Sequence, residues 1–192
     1  DTLAMSDYHT ELSPDSPTVE LLAPVGGPEP YYALYGWSPA GGLGAGEVPG
    51  PETRWRIERG ETLSPGSPVT LVWDNDTGLI FRRTISVDRD YMFTVRQSVQ
   101  NTGDTPVRLA PYGIVARHGK PEPSRFFILH EGVVRQTDDE LQEMSYGGMA
   151  DMDVVPRERA KAEIQEVQQD GWVGFTDKYW MTTLIPEPGQ GF

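Results

Sequence analysis

The most strongly patterned segment of the chain is GWVGFTDKYWMTTLIP, residues Gly171–Pro186. One alternating set of positions, interrupted only by Asp177, carries aromatic, methionine and β-branched side chains: Val173, Phe175, Tyr179, Met181, Thr183 and Ile185. The opposite set also carries large apolar side chains: Trp172, Trp180 and Leu184. Because successive side chains of a strand point to opposite faces, this pattern predicts a strand inside a packed sheet rather than at its rim.

The region from Val69 to Val115 predicts a four-stranded antiparallel meander. Four short runs of alternating apolar residues are separated by the polar turn segments Asp74–Gly78, Asp88–Asp90 and Asn101–Asp104. Intervening positions hold the polar side chains Arg82, Thr84, Arg96 and Ser98. This alternation predicts one buried face and one polar face.

The remaining segments have weaker patterns. Residues Asp1–Pro30 are polar and proline-rich, with one predicted edge strand at Val19–Ala23 that Pro24 ends. Glycine and proline in Ser38–Pro51 predict a flexible loop. Phe126–Leu129 predicts a short strand, and Arg157–Ala162 predicts at most a short helix behind Pro156.

Composition limits the classes of function. The 192 residues suit a single domain with a sizeable core and show no break in composition. The net charge is −13, from 29 acidic and 16 basic residues, and repels nucleic-acid phosphates and anionic lipid headgroups. The sequence has no apolar window of membrane-spanning length, and its first residues do not have the pattern of a signal peptide. Without cysteine it forms neither disulfides nor thiolate metal sites.

Motifs with a catalytic or ligand-binding appearance favour simpler interpretations. The glycine run Gly41–Gly46 lacks the strand-to-helix context of a phosphate loop, and Asp74–Gly78 is more typical of a hairpin turn than of a calcium loop. His9, His118 and His130 have no metal-ligand spacing. We therefore predict no catalytic, cofactor-binding or metal-binding residues.

Several segments, taken in order, resemble the large periplasmic domain of the bacterial YidC family of membrane protein insertases. They are PDSPTVELLAP (Pro14–Pro24), FRRTISVDRDYMFTVRQSVQN (Phe81–Asn101), Phe126–Val133 followed by Tyr146-Gly147-Gly148, and the segment Gly171–Pro186. Each is unspecific alone, but together they extend over nearly the whole chain.

The resemblance implies an all-β fold, an antiparallel β-supersandwich like that of galactose mutarotase, with at most one short helix. It implies one periplasmic domain over residues 1–192, at the periplasmic face of the bacterial inner membrane. In the family a hairpin precedes the first matching segment, and further strands and a helix follow the last one. We therefore expect the chain to be truncated at both ends.

The resemblance also implies a non-catalytic accessory role in the insertion and folding of inner-membrane proteins. The expected partners are Sec translocon accessory subunits or nascent membrane proteins, without a cofactor or nucleic acid. Our predicted partner-binding residues lie on a short strand, in an acidic loop and just beyond it: Phe126, Ile128, Asp138, Asp139, Glu140 and Tyr146. Unpaired strand edges also predict self-association of the fragment.

Two alternatives remain open from the sequence. A carbohydrate-binding or aldose-epimerase-like protein would gather aromatic side chains around His130, with Tyr31, Tyr32, Trp37 and Trp55 as candidates. A structural spacer that separates transmembrane segments of the insertase would need no binding surface.

Overall fold

The structure is a computed structural model that describes residues 2–121, 129–156, 158–177 and 179–189. Its described strands, in chain order, are β1 (Leu3–His9), β2 (Thr18–Leu22), β3 (Tyr31–Ala40), β4 (Arg56–Arg59), β5 (Val69–Asp74), β6 (Leu79–Val87), β7 (Phe93–Asn101), β8 (Arg108–Arg117), β9 (Gly132–Thr137), β10 (Glu140–Ser145), β11 (Val154–Val155), β12 (Ala160–Lys161), β13 (Gly171–Thr176) and β14 (Met181–Leu184). One α-helix, α1 (Tyr146–Ala150), and a 3-10 turn at Ala45–Glu47 occur among the described residues. The predicted all-β fold class with one short helix is confirmed.

The strands form sheets in the orders β1-β2, β3-β8, β4-β5-β6-β7, β10-β9-β13-β14 and β11-β12. The chain divides into two compact units. Unit 1 contains residues 1–34 and 114–192, and unit 2 contains residues 35–113. Strands β3 and β8 each have residues in both units.

Unit 2 is built on the sheet β4-β5-β6-β7. In β6, Phe81 lies between Trp73 of β5 and Val99 of β7 and is 0% exposed. Leu79 and Val48 are buried with it, and partly buried apolar side chains surround them: Trp37, Leu43, Trp55, Trp73, Val99 and Leu109. The predicted alternation of β5, β6 and β7 is confirmed, because the apolar residues of neighbouring strands pair across the sheet.

The prediction that the fourth strand of this meander pairs with β7 is wrong. Strand β8 pairs with β3, and β4 completes the sheet beside β5. The backbone of β3 at Gly36 lies close to the ring of Tyr112 in β8, since a Cβ atom added at Gly36 would lie 2.4 Å from that ring. The alternation in β8 identifies a strand but does not identify its neighbour.

Two loops of unit 2 have defined local geometry. The turn predicted at Asp74–Gly78 is confirmed, because the Asn75 side-chain oxygen accepts hydrogen bonds from the amides of Thr77 and Leu79, each at 2.9 Å. Within the predicted flexible loop at residues 38–51, strand β3 continues to Ala40 and Val48 is buried.

Unit 1 contains β1 and β2, which form a hairpin, so the strand predicted at Val19–Ala23 is confirmed over Thr18–Leu22. The helix predicted at Arg157–Ala162 is wrong over its described residues, since Glu158 and Arg159 form a turn and β12 begins at Ala160.

The α-helix that the structure describes occurs instead at Tyr146–Ala150, a segment with two glycines and hence poor intrinsic helix propensity. Its start is explained by capping, since the Ser145 hydroxyl accepts a hydrogen bond from the amide of Gly148 at 3.1 Å.

The segment Gly171–Pro186 forms the hairpin of β13 and β14 in the sheet β10-β9-β13-β14. Strand β13 lies between β9 and β14, as the apolar residues on both of its faces predict. The prediction that Phe175 shares a sheet face with Met181 and Thr183 is wrong, because Phe175 pairs with Thr182. The turn, closed by a hydrogen bond from the Asp177 amide to the Trp180 carbonyl at 2.9 Å, shifts the alternation by one position.

Candidate interaction site

The predicted partner-binding residues within the described chain lie at the two ends of strand β10. Asp138 and Asp139 form the turn before β10, Glu140 begins the strand, and Tyr146 begins the helix after it. The other two predicted residues, Phe126 and Ile128, lie outside the described residues. Strand β10 is the first strand of its sheet, and its neighbour in the described part of the chain is β9. The four predicted residues that the structure describes therefore flank one sheet edge.

The β9–β10 hairpin has a two-residue loop. Its register pairs Thr137 with Glu140 at the loop and Gly132 with Ser145 at the other end. Because side chains alternate along a strand, Leu141 and Glu143 lie on one face of the sheet and Glu140 on the other. Leu141 is 59% exposed, and both glutamates are exposed.

Asp138 anchors the hairpin loop through backbone hydrogen bonds. Its carboxylate accepts backbone hydrogen bonds from Gln168, Gln169 and Asp170, at 3.2, 2.8 and 3.3 Å. Its own amide donates to the carbonyl of Asp170 at 2.7 Å. The hydrogen bond from the Gln169 amide, and to a lesser extent those from Gln168 and Asp170, hold the pKa of Asp138 below its usual value. They do so because they stabilise the ionised carboxylate. Asp138 thus ties the start of β10 to the segment before β13.

Tyr146 belongs to a polar and aromatic cluster at the other end of β10. The Tyr146 hydroxyl donates to Oδ1 of Asp177 at 2.8 Å, and Arg117 forms an ion pair with Oδ2 of the same carboxylate. The guanidinium carbon of Arg117 lies 4.7 Å from the ring centroid of Tyr31. The ring of Tyr146 stacks on Phe175, with centroids 6.3 Å apart and planes 7° apart. We call these five residues the Asp177 cluster.

The electrostatics of the Asp177 cluster follow from its burial. Burial raises the pKa of the Tyr146 phenol, and its hydrogen bond to Asp177 raises that pKa further. Burial also raises the pKa of Tyr31. The adjacent charges of Asp177 and Lys178 predict an ion pair in the turn, but Lys178 lies outside the described residues. The partner that the structure gives Asp177 is Arg117, 60 positions away, and no local signal predicts such a pair.

Four acidic side chains of the β9–β10 hairpin form no ion pair within the described ranges: Asp138, Asp139, Glu140 and Glu143. The nearby Arg135 of β9 forms its ion pair with Glu163, and its Nε donates to the side-chain oxygen of Gln142 in β10 at 2.9 Å. The side-chain amide of Gln142 (Nε2) in turn donates to the carboxylate of Glu140 at 2.7 Å. The exposed edge of β10 therefore has a net negative charge.

An open cleft of about 380 Å³ lies beside the Asp177 cluster in unit 1. Its walls include Tyr31, Arg117, Asp177 and Trp180. The other charged or titratable lining residues have mixed character: Glu20, Glu29, His118 and Lys120. Because charges of both signs line the cleft, its electrostatics do not favour one class of ligand.

The residues considered for sugar binding have other contacts. Nε2 of His130 donates to the carbonyl of Val133 at 3.0 Å, and the Tyr32 hydroxyl lies 3.2 Å from Nε2 of His118. Trp37 and Trp55 pack on the core of unit 2. Across the described ranges, no group of three or more histidine or acidic side chains is arranged to hold a metal ion.

Among the helices that the structure describes, none has the length and apolar character needed to cross a membrane.

Comparison with known proteins identifies the family. The family model described as the YidC periplasmic domain matches residues 1–192. Proteins named membrane protein insertase YidC are similar over the whole chain, with 57% identity in Dinoroseobacter shibae, 57% in Jannaschia sp. and 56% in Cereibacter sphaeroides. The chain spans 32%, 31% and 31% of the length of these relatives, about a third. The chain therefore belongs to the family of YidC periplasmic domains.

Proposed function

We propose that this domain is a non-catalytic accessory module of a membrane protein insertase, at the periplasmic face of the bacterial inner membrane. Support comes from relatives named membrane protein insertases, which match along the full chain at 56–57% identity. The description of the matching family as a periplasmic domain supports the location. In this role the domain binds other polypeptides, and its partners are nascent membrane proteins or Sec translocon accessory subunits.

The observation that carries the proposal is the exposed edge of β10. The strand is six residues long, its described neighbour is β9 alone, and Leu141 near its middle is 59% exposed. An end strand has a row of backbone donors and acceptors that an extended segment of another chain satisfies by adding a strand. A newly exported polypeptide supplies such segments before it folds.

The anchors at both ends of β10 support the same role. Asp138 ties the start of the strand to residues 168–170, and the Asp177 cluster holds the helix that follows its end. A strand that is ordered before binding loses little conformational entropy when a partner adds to it. The anchors therefore favour binding without contacting the partner.

Site-specific crosslinking in the full-length insertase tests this role. A photoreactive amino acid replaces Leu141 in β10, and in a control protein it replaces Ile57 in β4, the end strand of the sheet in unit 2. The two positions are matched, because each side chain is 59% exposed. We expect crosslinks from position 141, but not from position 57, to newly made membrane proteins or Sec accessory subunits.

Equal crosslinking from both positions, or none from position 141 in an insertase that supports growth, would contradict the proposed use of this edge.

A further inference from the structure

The acidic side chains at the β10 edge form no ion pair with any described residue. Glu140 and Glu143 are exposed, and Asp139 precedes them in the hairpin loop. Neither Glu143 nor Asp139 has an ion partner among the described residues, and Glu140 accepts its hydrogen bond from the neutral amide of Gln142. Among the described residues, the edge thus combines backbone groups that β9 leaves unpaired with carboxylates that form no ion pair.

The hairpin register determines which backbone groups face outward. In a two-residue hairpin the residues that close the loop bond to each other, here Thr137 and Glu140. Bonded and non-bonded pairs alternate from there, so Gln142 also bonds inward to β9. The amides and carbonyls of Leu141 and Glu143 therefore point away from β9 and are available to an added strand.

We infer that the β10 edge selects extended basic segments, in which two lysines or arginines three residues apart flank an apolar residue. The inference rests on the proposed function and specifies the chemistry of its partner. In an antiparallel addition, one cation lies opposite Glu143, the apolar residue opposite Leu141, and the second cation opposite Glu140. The spacing follows from the positions of the two glutamates.

The alternating faces agree with this pattern. Glu140 and Glu143 lie on opposite faces of the sheet, and residues three apart in a partner strand also lie on opposite faces. Each cation therefore reaches its own glutamate. The apolar residue lies on the same face as Leu141 and covers a side chain that is 59% exposed.

The same charges disfavour a second copy of the chain as the occupant. Antiparallel pairing of two β10 strands brings glutamates of one copy toward glutamates of the other, and like charges in cross-strand positions are destabilising. The net charge of −13 adds repulsion between copies. The glutamates that repel a second copy of the chain attract a basic segment.

Peptide binding to the 192-residue chain tests the inference. The probe is a blocked, fluorescently labelled peptide, Thr-Lys-Thr-Val-Lys-Thr, and its affinity is measured by fluorescence anisotropy at several salt concentrations. A second peptide has glutamate in place of both lysines. A third keeps the lysines but carries an N-methyl group on the valine amide, which removes the hydrogen bond toward Leu141.

The protein variants separate edge charge from total charge. Glu140→Gln with Glu143→Gln removes the two charges while preserving side-chain size. Glu52→Gln with Glu61→Gln is the matched control, since it changes the net charge equally at exposed positions of unit 2. We expect the edge variant to bind the lysine peptide about tenfold more weakly and the control to bind like the wild type.

The inference predicts that added salt weakens binding of the lysine peptide, and that neither the glutamate nor the N-methyl peptide binds comparably. Equal binding of the N-methyl peptide, or equal weakening by both variants, would overturn it in favour of nonspecific charge attraction. Absence of binding by the lysine peptide would also overturn it. Crosslinks from position 141 in the full-length insertase would then show that the proposed function holds without this charge selectivity.

Discussion

The hydroxyl of Tyr146 donates a hydrogen bond to Oδ1 of Asp177 at 2.8 Å. The bond links the first residue of the helix after β10 to the turn between β13 and β14, 31 positions away in the chain. Asp177 also pairs with Arg117, so one carboxylate joins three separated segments of unit 1. The end of β10 is therefore held by tertiary contacts as well as by its pairing with β9.

Replacement of Tyr146 by phenylalanine removes this bond and keeps the ring that stacks on Phe175. We expect the free energy of unfolding to fall by about 1 kcal/mol, as is usual for loss of one hydrogen bond in a folded protein. Urea denaturation measures the change. Tyr91→Phe is the control, because Tyr91 is 50% exposed in a turn of unit 2. Equal effects of the two substitutions would contradict a stabilising role for the Tyr146 hydroxyl.

Alkaline pH should destabilise the domain through the same residue. The pKa of Tyr146 is raised above 10.0 in the folded state, mainly by burial, so the unfolded chain ionises this phenol first. Its contribution to stability is complete below that ordinary value and is lost as the pH rises through the folded-state pKa. We expect Tyr146→Phe to reduce the fall in stability above pH 10, measured by urea denaturation across that range. An unchanged slope would argue against the raised pKa.

Acidic pH should act through Asp138. Its pKa is lowered in the folded state, so the backbone hydrogen bonds to its carboxylate stabilise the fold above the ordinary value of 3.8. This contribution is lost as the pH falls through the lowered pKa. We expect Asp138→Asn to destabilise the domain at neutral pH and to approach wild-type stability in strong acid, measured by chemical denaturation at each pH.

Asp139→Asn is the matched control, since Asp139 is the exposed neighbour in the same loop. Parallel pH profiles for Asp138→Asn and the wild type would contradict the assigned role of the carboxylate.

Gly174 of β13 leaves no room for a side chain. A Cβ atom there would lie 2.3 Å from the carbonyl oxygen of Thr182 in β14, so the strands must separate to admit alanine. We expect Gly174→Ala to destabilise the domain by about 1–3 kcal/mol, the usual range for overpacking. Thermal unfolding measures the loss against Gly46→Ala, where a new Cβ meets nothing within 4 Å. Similar melting temperatures for both variants would show that the β13–β14 spacing is relaxed.

Local patterns predicted the strands well where alternation and turn residues agree. The turn at Asp74–Gly78 follows from its Asp, Asn and Gly content, and the interior position of β13 follows from apolar residues on both of its faces. Local patterns did not predict strand pairing or the position of the helix, because tertiary contacts and capping decide these features. Alternation in β8 did not reveal its pairing with β3, and a serine cap rather than composition decided the position of the helix.

The candidate site was predictable only in part. The acidic residues Asp138, Asp139 and Glu140 predict a solvated loop but not the β9–β10 hairpin to which that loop belongs, and Tyr146 belongs to the segments that resemble the family. The anchoring role of Asp138 depends on amides 30 to 32 positions away, and the partner of Asp177 is 60 positions away. A sequence without coordinates contains no local signal for contacts of that range.

Amide hydrogen exchange by NMR, with and without the lysine peptide, tests most directly whether β10 accepts an added strand. The account predicts that saturating peptide slows exchange at Leu141 and Glu143, whose amides point outward. It predicts little change at Gln142, whose amide already bonds to β9. Bound peptide with unaltered exchange at Leu141 and Glu143 would contradict the account.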